Sequence, residues 1–142
     1  MKTLYVAGPI PRSKYYPLFL PYVLTAFSSR RAYENIRAWC KYNDFTALIP
    51  SEAKEPFTDP GKFGAYVRSL IETASHVLVV PYAPNLAVGI EAEYAYQQKK
   101  PIGVWYPGRF MKSKLLMSLA TIEAEPSEDV RNFLDRFAFN KT

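Results

Sequence analysis

Two carboxylates, Glu91 and Glu93, stand two residues apart in the stretch 75–100, SHVLVVPYAPNLAVGIEAEYAYQQKK. A carboxylate can act as a nucleophile or move a proton, and two can divide those tasks if both reach one site. The spacing forbids that here. If Leu86 to Gln98 is a helix, each residue turns it by roughly 100°, so positions two apart point to nearly opposite sides. Glu91 then shares a face with Ala87, Val88, Ala95 and Gln98, while Glu93 shares the wetter face of Gly89 and Gln97. A carboxylate among small apolar neighbours is unusual without a partner or a task. A glutamate that merely favours the positive helix N-terminus would sit in the same place. Geometry alone leaves both readings open.

The other groups that could do chemistry are few. Gly8-Pro9 follows the apolar run Leu4 to Ala7, and a glycine directly after a first parallel strand lets backbone N–H groups approach a phosphate or a ribose. Arg12, Ser13 and Lys14 come next and suit a phosphate; taken singly, each reads equally as a solvated loop residue. His76 is the only histidine and Cys40 the only cysteine. A zinc site of the usual ligands and a Cys-His hydrolase are therefore set aside, and no metal is expected. His76, where a helix enters a strand, reads as packing or a cap, and Cys40 as core. No nucleophile elbow, Walker-type loop or full dinucleotide fingerprint is present, so no cofactor is implied. A carboxylate, tyrosines and backbone amides remain.

The elements that must position them alternate. Strands are expected at Leu4–Ala7, Phe45–Ile49, Val77–Val80 and Ile102–Trp105, with a short last one at Thr121–Ala124. Helices are expected from Arg30 to Tyr42 with Ser28 or Ser29 as its cap, over 62–73 and 86–98, within a loop and helix spanning 109–119, and from Glu128 to Phe139. The aromatic stretch Tyr15–Phe27, broken by Pro17 and Pro21, reads as a short helix, a lid or a subunit contact. This pattern predicts a single three-layer α/β domain spanning 1–142, flavodoxin-like or Rossmann-like, with a mostly parallel sheet of about five strands. Its ligand would lie where the strand order reverses, between the first strand and the third, Val77–Val80. That brings Gly8 and the Asn85–Glu91 turn to one crevice.

Bulk properties narrow the partners. A chain of 142 residues suffices for one domain with a real core. A net charge of +5 suits an anionic ligand, but no basic run exceeds two residues, which argues against nucleic acid. The longest apolar stretch is too short and too Pro-interrupted for a membrane span. With one cysteine and Met1-Lys2-Thr3 leading straight into a strand, the chain reads as soluble and cytoplasmic.

Two motifs resemble the nucleoside 2-deoxyribosyltransferases and their relatives, the nucleotide N-glycosidases. The first is Tyr5-Val6-Ala7-Gly8-Pro9; the second is Gly89-Ile90-Glu91-Ala92-Glu93-Tyr94-Ala95, closing on Lys100-Pro101. The resemblance implies that Glu91 is the nucleophile, attacking the anomeric carbon of a nucleoside or nucleoside 5′-monophosphate to form a glycosyl-enzyme. It further implies that Tyr5, Gly8, Pro9, Asn85 and Gly89 bind substrate, with Arg12 and Ser13 at a phosphate. Arg109 and Ser113 would come from a neighbouring subunit of a homodimer or larger homo-oligomer. Asn85 stands where the family usually has Asp, Val67 near where another Asp is expected, and Glu93 where the motif has glycine. The general acid is thus unassigned. A non-catalytic nucleotide-binding or sensing module is the alternative, and an interaction protein using its aromatic surface is a third.

Overall fold

The computed structural model describes residues 2–8, 20–50, 59–81, 86–107 and 113–140, of which 20–29 and 86 are described by backbone alone. Among the described residues five strands and five helices alternate: β1 (Lys2–Ala7), α1 (Leu20–Tyr42), β2 (Phe45–Leu48), α2 (Pro60–Thr73), β3 (His76–Val79), α3 (Leu86–Gln97), β4 (Ile102–Val104), α4 (Lys114–Leu119), β5 (Ile122–Glu123) and α5 (Val130–Phe139). The strands form one parallel sheet in the order β2-β1-β3-β4-β5. This is the doubly wound order in which the chain reverses direction between β1 and β3.

The apolar runs form strands because both faces of the sheet are covered. Along β1, Leu4 and Val6 enter one core while Tyr5 and Ala7 enter the other; along β3, Leu78 and Val77 divide in the same way. The first core packs α1 and α5 on one face through Tyr33, Ile36, Trp39, Phe133, Leu134 and Phe137. The second packs α2, α3 and α4 on the other, with Val67, Ile71, Val88, Ala92 and Ala95 inward. Gly103 of β4 lets α5 approach closely: a Cβ there would meet the Phe137 ring at 2.8 Å.

The expected strands are present, each within about two residues of its expected ends. The largest correction concerns α1, which begins at Leu20 rather than after a cap at Ser28 or Ser29. Pro21 stands in its first turn, where a missing N–H breaks no intrahelical bond, so it does not stop the helix. Residues 20–27 of the aromatic stretch are therefore helical; 15–19 lie outside the described residues. α2 begins at Pro60, capped by the Asp59 carboxylate on the Gly61 N–H at 2.8 Å, and α5 begins at Val130 with Asp129 as cap. Glu128, expected inside that last helix, instead accepts from the Arg136 guanidinium at 2.6 Å and 2.9 Å.

Candidate active site

The carboxyl ends of β1 and β3 are laced together at the point of reversal. The Val80 N–H donates to the Ala7 carbonyl at 2.8 Å, just before Gly8. Over this edge lies α3, and in its second turn Glu91 points inward on the side of Val88, Ala92 and Ala95, which are buried. Tyr5 comes up from β1 on the same face, fully buried, and its hydroxyl donates to Glu91 Oε1 at 3.1 Å. The alternation of β1 dictates this meeting: Tyr5 shares its side with Ala7, facing α2 and α3. Glu93 is exposed on the other side of α3 and accepts from Gln97 Nε2 at 3.3 Å. The two carboxylates serve different surroundings, as helix geometry requires.

Burial sets the electrostatics of the pair. Withdrawal from water pushes the Glu91 carboxyl up to about 7, while the hydrogen bond from Tyr5 pulls in the opposite direction. The Tyr5 phenol is held far above its ordinary range by burial first, then by the Glu91 charge and the shared hydrogen bond. The phenols of Tyr33 and Tyr66 add smaller effects in the same sense. Tyr5 thus stays neutral and remains a donor. Glu91 is poised to be either carboxylic acid or carboxylate near neutral pH.

The other expected site residues are placed less evenly. Gly8 ends β1 beside the pair, but the atom that approaches it is the Tyr33 phenol oxygen, 2.4 Å from where a Cβ would stand. Gly89 is exposed on α3, with nothing within 4 Å of where its Cβ would be. Ser113 caps α4, its hydroxyl accepting from the Leu116 N–H at 3.2 Å. Pro9, Arg12, Ser13, Asn85 and Arg109 lie outside the described residues. Val67 is buried at 7 % exposure in the core that holds Tyr5. The only acid of α2, Glu72, is exposed and accepts from Tyr94.

The residues singled out from the sequence did not include Tyr33 and Tyr66, whose phenols reinforce the upward shift of Tyr5. The available signal was chemical: a tyrosine on an inward stripe carries a hydroxyl that must find a partner. His76 is packing, as expected, edge-on to Phe45 and Phe137 with Nδ1 against Ser75 Oγ at 3.1 Å. Cys40 is buried in the first core, its thiol pushed up to about 11 by burial. Among the described residues no group of three or more His, Cys, Asp or Glu could hold a metal ion. No described helix is long and apolar enough to cross a membrane.

No protein-family model and no curated protein matches the chain. Solved structures do. A 2-deoxyribosyltransferase of Bacillus psychrosaccharolyticus superposes with a TM-score of 0.64 at 14 % identity, over 92 % of this chain and 90 % of that one. A CMP N-glycosidase of Clostridium botulinum gives 0.66 at 10 % identity, over 97 % and 100 %. A 2-deoxyribosyltransferase of Leishmania mexicana gives 0.54 at 21 % identity, over 75 % of this chain and 65 % of that one. At these identities the likeness is one of architecture: the chain has the α/β fold of the 2-deoxyribosyltransferases and of a nucleotide N-glycosidase.

Proposed function

We propose that the protein cleaves or transfers the N-glycosidic bond of a (deoxy)nucleoside or nucleoside 5′-monophosphate, with Glu91 as nucleophile. The observation that carries this reading is the Tyr5–Glu91 hydrogen bond, 3.1 Å long, at the switch point of the sheet. Tyr5 occupies Oε1 and holds the carboxylate in one orientation, which leaves Oε2 for attack. The free oxygen bonds to the anomeric carbon as the C–N bond breaks, and that bond's electron pair leaves with the base, which takes its proton from solvent water. The product is a glycosyl ester of Glu91 with retained access to the opposite face. Water or the nitrogen of a second base then attacks the same carbon and returns the carboxylate. Burial supports the first step, because a carboxylate held at about 7 is, once ionised, a more basic oxygen than a solvated one.

The anionic substrate class is supported by the net charge of +5 and by Arg12 and Ser13 following Gly8. Residues Pro9, Asn85 and Gly89 complete the substrate-binding set in this reading, with Arg109 and Ser113 supplied by a neighbouring subunit. The active species is then a homodimer or larger, and light scattering at micromolar concentration should show no monomer. A non-catalytic nucleotide-binding module is the second reading, favoured by one observation: α2 packs Val67 and Ile71 into the core that holds Tyr5, and its only acid, Glu72, is exposed.

One experiment separates the two. Purified protein is incubated with a panel of nucleosides and their 5′-monophosphates, and free base is measured alongside thermal shifts. Base release that is lost in Glu91→Gln supports the enzyme. Ligand-induced stabilisation with no base released from any compound supports the binding module. A 2′-fluoro substrate with a good leaving group should leave its adduct on Glu91; an adduct on Glu93 would refute the assignment.

A further inference from the structure

Tyr33 is a polar group that this mechanism does not use. It comes from α1, on the face of the sheet opposite Glu91, and is 2 % exposed among Ile36, Trp39, Val80 and Phe133. A phenylalanine would fill that space without carrying a hydroxyl into an apolar cluster. The hydroxyl reaches the end of β1. A Cβ on Gly8 would lie 2.4 Å from Tyr33 Oη, whereas Tyr33 Cζ and Val80 Cβ would both stand at 3.4 Å, ordinary contact for carbon. Gly8 does not adopt a left-handed φ, so its backbone would accept any residue. Of the nearest atoms, only the phenol oxygen stands closer than ordinary contact, so a side chain at this position would have to displace it. The end of β1 is thus flanked from two sides: the Val80 N–H of β3 donates to the Ala7 carbonyl, and the Tyr33 phenol oxygen of α1 stands where a Gly8 side chain would begin.

We propose that Tyr33 is a positioning residue of the crevice: its hydroxyl fixes the backbone at Gly8, where β1 meets the ligand, and Gly8 is glycine to admit that hydroxyl. The ligand is the nucleoside or nucleotide of the preceding section, and on that point the inference rests on that reading. The steric coupling between the two residues does not. Tyr5 and Tyr33 then divide the work at one strand end. Tyr5 orients the reacting carboxylate from one face of the sheet, and Tyr33 holds the main chain from the other.

The test is a cycle of four proteins: wild type, Gly8→Ala, Tyr33→Phe and the double variant. Each is read by thermal unfolding without ligand, and by kcat and KM for base release from the best 5′-monophosphate. Gly8→Ala should lower the melting temperature and raise KM by about tenfold or more, since small displacements of a binding backbone are expensive. Tyr33→Phe should raise KM several-fold with kcat within about twofold and an unmoved pH profile. The double variant should return to the Tyr33→Phe values in both readouts, because the clashing oxygen is gone. A double variant as impaired as Gly8→Ala overturns the proposal. So does a Tyr33→Phe variant that loses kcat at constant KM, which is the signature of lost folded enzyme alone. If wild type releases no base, the N-glycosidic reading fails and the cycle is read in dissociation constants for the same monophosphate. The same order is then expected, and equal affinities across the four, or none in any, overturn the positioning role.

Discussion

Glu91→Gln tests the buried charge and the chemistry on one sample. Glutamine keeps the size of the side chain and an oxygen that accepts from Tyr5, but it cannot ionise or form a glycosyl ester. Burial raises the carboxyl from 4.5 to about 7. Between those values the folded protein holds a proton that the unfolded chain has released, so stability falls as pH rises through that window. At ~1.4 kcal/mol for each tenfold in proton affinity, the ceiling on this loss is ~3.4 kcal/mol. Glu91 is only half-buried, and solvent screening brings the figure nearer to about 2 kcal/mol.

For a chain of this size, that corresponds to a shift of roughly 5–10 °C in melting temperature. Glu91→Gln should melt together with wild type near pH 4.5 and above it by that amount at pH 8, while base release vanishes at every pH. The assay is scanning calorimetry of both proteins across the range. His76 and the surface carboxylates titrate alike in both, so the difference isolates position 91. A constant difference from acid to alkaline pH would refute the argument that Glu91 carries its charge at a cost. A variant less stable than wild type at pH 8 would show that the ionised carboxylate is stabilised by its surroundings.

Tyr5→Phe should leave the fold intact and move the acidic limb of the kcat/KM profile to higher pH, because the lost hydrogen bond is what lowers the Glu91 carboxyl; an unmoved limb would mean the bond is not made in the free enzyme. Gly103→Ala would bring a methyl within 2.8 to 3.0 Å of three Phe137 ring atoms. Overpacking of that kind should cost about 1–3 kcal/mol, read as a lower denaturant midpoint at unchanged m-value. His76 is held below its ordinary 6.5 by burial and then by the Lys2 charge. Since the unfolded chain protonates first, its contribution to stability is lost as pH falls below about 6.5. As the only histidine it gives a single NMR titration, whose midpoint should lie below that value.

The sheet was legible because its strands are buried on both faces and therefore spell themselves as unbroken apolar runs, as in Val77-Leu78-Val79-Val80. The beginning of α1 was not. Pro17, Pro21 and the Ser28-Ser29 pair all signal interruption along the chain, and only the backbone shows that Pro21 sits in a first turn where it breaks nothing. Glu91 could be told from Glu93 by periodicity alone, since that depends on one helix. Its partner could not, because the Tyr5 hydroxyl bridges 86 residues and needs the side of β1, the strand order and the seat of α3 to be known together.

Gly8 shows how a residue can be recognised for a reason that is only part of the answer. In the chain it reads as room left for a ligand's approach to the backbone. In the fold the room is taken by a tyrosine from the opposite layer, whose oxygen would stand 2.4 Å from any Cβ at that point. A glycine at a strand end reports that something comes close, without reporting what. Two phenols meet at the end of β1, Tyr5 from the strand itself toward the carboxylate and Tyr33 from α1 toward the main chain, and both rings are buried in the core. A hydroxyl placed where phenylalanine would pack equally well is the sequence signal that periodicity discards. It becomes interpretable once the strand order shows that both oxygens converge on the switch point.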